Sequence, residues 1–384
     1  MAVDRVLPSP EAAELLALAR DLVDKELTGR AAGDEEEARF PRDAFTLLGR
    51  SGLLGLPYSG EYGGGDQPYE VYLQVVEELS RGWLAVGLGV SVHTLSCFPV
   101  AEFGTAAQRA RLLPDMVGGE LLGAYCLSEA HSGSDAAALA TRAQPRDGGY
   151  RVEGVKSWIT HGGVADYYTL FARTGSPGSR SRGISCLHVP AETAGVTAAP
   201  PERKMGMASS PTAQVRFDGA RVPEAQRIGD QDEGFAIALA ALDTGRLGIA
   251  ACAVGLAQAA LDLAVDYSRR REQFGRPIGD FQGVSFMLAD MAVAVEAARE
   301  LYLAAARRRD AHRDFTKQAA MAKLFATDAA MRVATDAVQV LGGAGYTRDF
   351  AAERLMREAK VLQIVEGTNQ IQRMVIGRHL SRAH

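Results

Sequence analysis

The stretch FAIALAALDTGRLGIAACAVGLAQAALDLAVDYSRRR, Phe235–Arg271, decides the fold class. It reads as one very long helix. Its centre, Leu247–Leu261, is uncharged and rich in Ala and Gly, which suits close helix packing inside a core. At about 15 residues this run falls short of the ~20 that a membrane span needs. Phe274-Gly-Arg-Pro-Ile-Gly279 then breaks the helix, with Gly and Pro as stop signals. Two more helices follow, over Phe281–Asp310 and Phe315–Leu341, and Gly342-Gly-Ala-Gly345 ends the second. Long helices with short connections predict an antiparallel four-helix bundle over residues 230–384.

Upstream the pattern changes. Thr212-Ala-Gln-Val-Arg-Phe-Asp218 alternates polar and apolar, as a half-buried strand does. Tyr167–Ala172 and Gly183–Val189 read as further strands, and Asp147-Gly-Gly149 is a hairpin signal. Thr174–Arg182 is a Gly/Ser/Pro/Arg loop, expected to be a mobile tip. Residues 121–229 therefore predict a β-domain, a barrel or a sandwich. Residues 1–120 read as helices over Glu11–Leu27, from Pro41 on, and over Tyr69–Ser80, Trp83–Leu95 and Ala106–Val117. The fold class is α+β, mainly α.

Composition narrows the function classes. A net charge of −5 gives no bulk attraction to nucleic acid or anionic lipid. Cys97, Cys126, Cys186 and Cys252 form no CxxC pair and have apolar neighbours, so they read as reduced core thiols of a cytoplasmic protein. The histidines show no metal-ligand spacing. Met1-Ala-Val-Asp-Arg5 does not read as a signal peptide.

Downstream of the long helices lies Val361-Leu-Gln-Ile-Val-Glu-Gly-Thr-Asn-Gln-Ile-Gln-Arg373. Gly367 permits a sharp turn and Thr368 is a good N-cap, so Glu366 falls in a short break between two helices. A carboxylate held there over an apolar cavity would have a raised pKa and could act as a base. A solvated glutamate ahead of a cap is the alternative.

Four stretches together resemble the acyl-CoA dehydrogenases, flavoproteins that introduce an α,β double bond into acyl thioesters. They are Leu127-Ser-Glu-Ala-His-Ser-Gly-Ser-Asp135, Lys156-Ser-Trp-Ile-Thr160, Arg271-Glu-Gln-Phe-Gly275, and Gln339-Val-Leu-Gly-Gly343 with Val365-Glu-Gly-Thr-Asn-Gln-Ile-Gln372. The likeness covers almost the whole chain. It implies FAD contacts from Tyr125, Leu127, Ser128, Gly133 and Ser134, and from Trp158, Ile159 and Thr160. It also implies that Arg271, Phe274 and Gln282 reach a flavin bound mainly by a neighbouring subunit, since an arginine fork suits pyrophosphate. Gln339, Val340, Leu341, Gly342 and Gly343 match a cradle for the adenosine-diphosphate part, and Thr368, Asn369 and Gln370 match further cofactor contacts.

The resemblance places acyl-CoA beside Ser134, Gly367 and the segment Asp243, Thr244, Gly245, Arg246, for which a surface i,i+3 pair is the alternative. A sub-branch of the family carries its base at the position of Gly245, and glycine returns that work to Glu366. The implied mechanism has Glu366 take the α-proton as the β-hydrogen leaves as hydride to flavin N5. The Glu366 N–H and a ribityl hydroxyl would polarise the thioester carbonyl. Ile364 and Val365 are expected to supply the apolar surroundings that raise the carboxylate pKa. An electron-transfer flavoprotein as acceptor, a homotetramer and a short or short branched acyl chain complete the expectation. Ala130 stands where the family commonly has proline, and His161 where it commonly has asparagine. Rival readings are a same-fold enzyme using a carrier-protein thioester or oxygen, and a non-catalytic flavin-bound paralogue. The intact Glu366 and the negative net charge argue against the latter.

Overall fold

The structure is a computed structural model that describes residues 3–176 and 179–381. Two residues of the Thr174–Arg182 loop, 177 and 178, lie outside the described residues. The chain opens with helices α1 Pro10–Leu22, α2 Ala31–Glu36, α3 Arg42–Arg50, α4 Tyr69–Gly82, α5 Leu84–Phe103 and α6 Ala106–Val117. Strands β1 Gly123–Cys126, β2 Arg142–Arg146, β3 Gly149–Thr160, β4 Tyr167–Arg173, β5 Ile184–Pro190, β6 Val196–Ala198, β7 Thr212–Pro223 and β8 Arg227–Ile228 follow. Helix α7, Gly234–Arg270, leads through the small ribbon β9 Glu272–Gln273 and β10 Arg276–Pro277 into α8 Gln282–Asp310 and α9 Thr316–Leu341. The short α10 Gly343–Tyr346, then α11 Ala352–Leu362 and α12 Asn369–Ser381, complete the described chain.

Local chemistry accounts for most boundaries. Ser9 caps α1 by accepting from the Ala12 N–H, and Thr105 forms a reciprocal capping box with Gln108 at α6. The helix expected over Glu11–Leu27 stays α-helical only to Leu22. Val23–Leu27 widens into a π turn, in which the Thr28 N–H donates to Val23 O at 2.9 Å. Helix α5 runs past the expected Leu95 and carries Pro99 inside it. The Asp147–Gly148 turn has both residues at positive φ, 43° and 77°, and joins β2 to β3 as a tight hairpin.

The eight strands form one mixed sheet among the described residues, in the order β6-β7-β3-β2-β4-β5-β8, with β1 parallel to β4. One face gathers Ala124, Val152, Ile159, Leu170, Leu187, Val215 and Phe217 into a single apolar cluster. The order is open, with β6 and β8 at its ends, and side chains from β1, β2, β3, β4, β5 and β7 meet in this one cluster. The other face, through Phe171, Ile184 and Cys186, packs on Val100, Ile237 and Ala238 of the helices. All four cysteines are free and buried.

Helix α7 is the common element. It packs against α4, α5, α8, α9 and α11, and small residues such as Gly248 and Gly255 allow that closeness. A Cβ at Gly255 would strike the Glu77 carbonyl. Helices Leu84–Phe103 and Gly234–Arg270 do reach the length and apolar composition of a membrane span, which counting Leu247–Leu261 alone overlooked. Their most apolar windows are 94% and 78% buried within this protein, so the apolar surface is already covered by other helices.

Candidate active site

Helix α11 ends at Leu362, and the chain turns before α12 begins at Asn369. The turn places Glu366 at φ 52° and Gly367 at φ 89°. Glycine accepts that conformation freely, whereas a glutamate there costs roughly 1–3 kcal/mol and must be held. Gln372 Nε2 donates to the carbonyls of Gly367 at 2.8 Å and Glu366 at 3.3 Å. Lys323 Nζ donates to Gly367 O at 3.0 Å. Thr368 Oγ1 accepts from the Ile371 N–H at 3.4 Å, the long capping contact expected from its position.

The strained turn aims the Glu366 side chain at α7. Its carboxylate lies against Gly245, where any Cβ would overlap it and press on Leu95. The main chain is half-exposed, but both carboxylate oxygens are shut off from water and have no hydrogen-bond partner among the described residues. Burial pushes the carboxyl up to about 7, against the pull of Lys323 and Arg246. Ile364, expected to provide this burial, is instead 53% exposed. The turn at residues 363–367 rotates it outward, and Gly245 and Leu95 enclose the acid in its place.

Asp243 and Arg246 are not a surface pair. Arg246 is only 5% exposed and pairs with Asp243, whose other oxygen accepts from Thr316 Oγ1 at 2.7 Å. Burial raises the Asp243 carboxyl above its ordinary range, with Arg246 opposing. Arg246 Nε is buried and has no hydrogen-bond partner among the described residues. Thr244 contributes its carbonyl to the Tyr69 hydroxyl at 3.1 Å.

The expected flavin-facing segment leaves β1 at Cys126. Tyr125 is anchored by its hydroxyl to Ala238 O at 3.2 Å. Leu127 and Ser128 offer main-chain carbonyls, and these are already engaged by Lys156 Nζ at 2.9 Å and the Ser157 N–H at 2.9 Å. Gly133 and Ser134 are exposed on a turn closed by the Glu129–Ser132 bridge. Exposed Ala130 lies on the same turn, so hydrogen bonds rather than a proline ring fix its shape.

Trp158 is 55% exposed and adopts φ 57°. A register shift between Lys156 and Ile159 in the β3–β7 pairing puts it there. Ile159 points into the sheet core, so only its main chain is available to a ligand. Thr160 is half-buried on the outer side. His161 follows at φ 64°, a conformation asparagine also tolerates well. Its Nδ1 meets Gly123 O at 3.0 Å, and burial lowers its pKa to about 4.

Sequence reasoning missed the pair beneath this loop. Lys156 Nζ donates to Glu129 Oε1 at 2.8 Å, and Glu129 also accepts from the N–H groups of Ala140 at 2.7 Å and Thr141 at 2.9 Å. Lys156 holds its carboxyl below the ordinary range. The inward parity of Lys156 on a strand was the available signal.

The remaining candidates sit elsewhere. Arg271, Phe274 and Gln282 are exposed beyond the end of α7, Phe274 to 95%. From Gly245 to Arg271 the helix runs about 39 Å at 1.5 Å per residue, so this cluster does not join Glu366 within one chain. Gln339 and Gly343 are exposed, and a Cβ on Gly342 or Gly343 would meet nothing. Val340 and Leu341 bury their side chains in the bundle and can offer main chain alone. Gln370 is exposed, whereas the Asn369 amide is spent inside the fold on Lys323, Thr327 and Asp328.

Residues 9–120, 124–220 and 232–381 match the family models described as acyl-CoA dehydrogenase N-terminal, middle and C-terminal domains. An acyl-CoA dehydrogenase of Bacillus subtilis is 46% identical over 364 residues, 94% of this chain and 96% of that one. The mitochondrial short-chain specific acyl-CoA dehydrogenase of Bos taurus is 40% identical over 98% of this chain and 91% of its own. The structure of butyryl-CoA dehydrogenase from Megasphaera elsdenii superposes with a TM-score of 0.96 at 39% identity, covering 99% of this chain and all of that one (100%). A buried, unpartnered glutamate on a strained turn, facing a glycine and framed by three matched domains, has one family reading: the chain belongs to the acyl-CoA dehydrogenases and is an oxidoreductase of that family.

Proposed function

We propose that this enzyme is an FAD-dependent dehydrogenase of short or short branched acyl-CoA thioesters, with Glu366 as the base for the α-proton. One observation carries the reading: the Glu366 carboxylate is buried against Gly245 with no hydrogen-bond partner among the described residues, pushed up to about 7. A group buried unpaired at that cost is expected where a substrate hydrogen completes it.

The residues present fit FAD. Trp158 offers an exposed aromatic face at a bulge, and Gly133, Gly342 and Gly343 leave open space for close main-chain approach. When bound, FAD accepts the hydride from the β-carbon. The chain supplies the rest. Glu366 in its ionised form takes the α-proton, its N–H is offered to the thioester carbonyl, and Gly245 leaves the carboxylate room to swing onto the substrate. The buried Asp243–Arg246–Thr316 group lines the approach and orients the thioester. The likeness to butyryl-CoA and short-chain specific enzymes supports a short chain. Exposed Arg271 and Phe274, about 39 Å along α7 from Gly245, support an assembly in which each subunit completes a neighbour's FAD site, a homotetramer by family resemblance. An electron-transfer flavoprotein as acceptor and a cytoplasmic location belong to the same proposal.

A panel of acyl-CoA thioesters tested anaerobically for flavin bleaching decides it. Bleaching strongest with four- or five-carbon chains supports the reading. Bleaching by none, or best by long chains, overturns it.

A further inference from the structure

Lys323 lies on α9 with its side chain wholly buried, at the back of the turn that carries Glu366. Its ammonium donates to Gly367 O at 3.0 Å and to Asn369 Oδ1 at 2.9 Å. Both acceptors are neutral. Asn369 is itself fixed, its Nδ2 donating to Thr327 Oγ1 at 2.9 Å and Asp328 Oδ1 at 2.7 Å. A buried ammonium is costly unless it meets a counter-charge. The carboxylates that act on it are those of Glu366, first, and Asp328. Burial lowers Lys323 to about 7, against the pull of Glu366, so the lysine changes charge in the range in which Glu366 ionises, and its hydrogen bond to Gly367 O ties it to the turn that carries Glu366.

The groups facing Glu366 can be named element by element. Lys323 of α9 and Arg246 of α7 pull on its charge, and the carboxylate in turn acts on Cys252 of α7, Tyr69 and Tyr72 of α4 and Tyr125 of β1. Burial raises the tyrosines and the thiol, so they stay neutral in the working range. Of the two cations, Arg246 is already paired with Asp243. Lys323 acts on the base more strongly than Arg246 and has no carboxylate bonded to it among the described residues.

We propose that Lys323 is a positioning residue for dehydrogenation: it fixes the Glu366–Gly367 turn through the Gly367 carbonyl and supplies the cation that faces the base. The inference rests on Glu366 being that base. Two functions are combined in one side chain, and they separate by substitution. Lys323→Met removes both the donor and the charge. Lys323→Gln keeps an amide donor for Gly367 O and removes only the charge.

The test follows Glu366 directly, by the carboxyl infrared band that disappears in Glu366→Gln, across pH in the enzyme without substrate. Loss of the cation disfavours the anion, so both Lys323 variants should titrate at higher pH by about one pH unit or more. The acid limb of anaerobic flavin reduction by a short acyl-CoA should move with it, while thioester affinity stays within about threefold of wild type. Lys323→Gln should recover the plateau rate at high pH, and Lys323→Met should not. An unchanged Glu366 titration in both variants overturns the inference. So does loss of fold or of FAD in both, which would make Lys323 a structural residue. If Glu366→Gln reduces flavin at the wild-type rate, the base assignment itself is wrong and Lys323 falls with it. A dead Glu366→Gln beside unshifted lysine variants overturns only the present inference.

Discussion

The Glu366 carboxylate and the α-carbon of Gly245 are in direct apposition, the one buried because the other has no side chain. The base and the helix that lines the substrate site are thus sized for each other. Gly245→Ala should displace the carboxylate and lower the rate of flavin reduction by about 10²-fold, the loss typical of misplacing a catalytic group by an ångström. FAD content should be unchanged, because Gly245 is not among the exposed cofactor-facing positions. Stopped-flow reduction beside the absorbance ratio of the purified protein checks both halves.

Glu366→Gln removes the proton acceptor with little change of shape. Base removal should cost ~10²–10⁴-fold in flavin reduction with thioester binding retained. Asp243→Asn should weaken thioester binding more than it slows the chemical step, since Asp243 is tied to Arg246 and Thr316 rather than aimed at open space. Anaerobic single-turnover kinetics with both variants separate the roles.

The same substitution makes a stability prediction with a definite sign. The Glu366 carboxyl titrates near 4.5 unfolded and at about 7 folded. Between those values the unfolded chain releases its proton and the folded chain keeps it, so rising pH destabilises the wild type through that window. Glutamine does not titrate. Glu366→Gln should therefore gain on wild type from pH 4.5 to 7 and hold a constant advantage above, of up to roughly 3 kcal/mol. Denaturant melts at pH 5 and pH 8 would show it, and an equal difference at both pH values would contradict it.

Glu129→Gln and Lys156→Met each leave one buried partner uncompensated. Such single deletions cost about 3–5 kcal/mol, and here the loss falls on the loop of residues 127–134. FAD retention through gel filtration should drop in both. Substituting both positions with apolar residues should recover part of the stability.

Arg271→Ala should weaken FAD retention without slowing reduction in enzyme that remains loaded. Arg271 is exposed and lies far along α7 from Glu366. Light scattering should report an oligomer. A monomer that holds FAD tightly would contradict the shared-site arrangement.

The parts of the site legible in the sequence are those where backbone and side chain say the same thing. Gly367 and Thr368 announce a turn and a cap, and the turn is there. Helix α7 was legible because nothing within its 37 residues breaks it. Partners across the fold were not legible. Lys156 and Glu129 are 27 positions apart on different segments, and only the sheet register brings them together. Lys323 and Gly367 are separated by 44. Ile364 was misjudged because the break resets the helical phase, so residues beside Glu366 in sequence need not surround it in space. The short α2, rich in acidic residues, and the π turn after α1 are set by packing that no local pattern encodes.

The register shift between Lys156 and Ile159 has a consequence for how this strand can change over time. It is a one-residue phase change, with the lysine turned inward before it and the tryptophan outward after it. Two residues of β3, 157 and 158, oppose one of β7, so deleting the extra one would remove the bulge and leave Ile159 opposite Ala213 in the sheet core, at the expense of the conformation that Trp158 adopts there. A single deletion at that point should therefore keep the strand and alter the cofactor-facing tryptophan, whereas a one-residue change elsewhere in β3 would exchange inside and outside. The Asp147–Gly148 turn, at the other end of the same strand, lies at the surface and should absorb deletions and insertions.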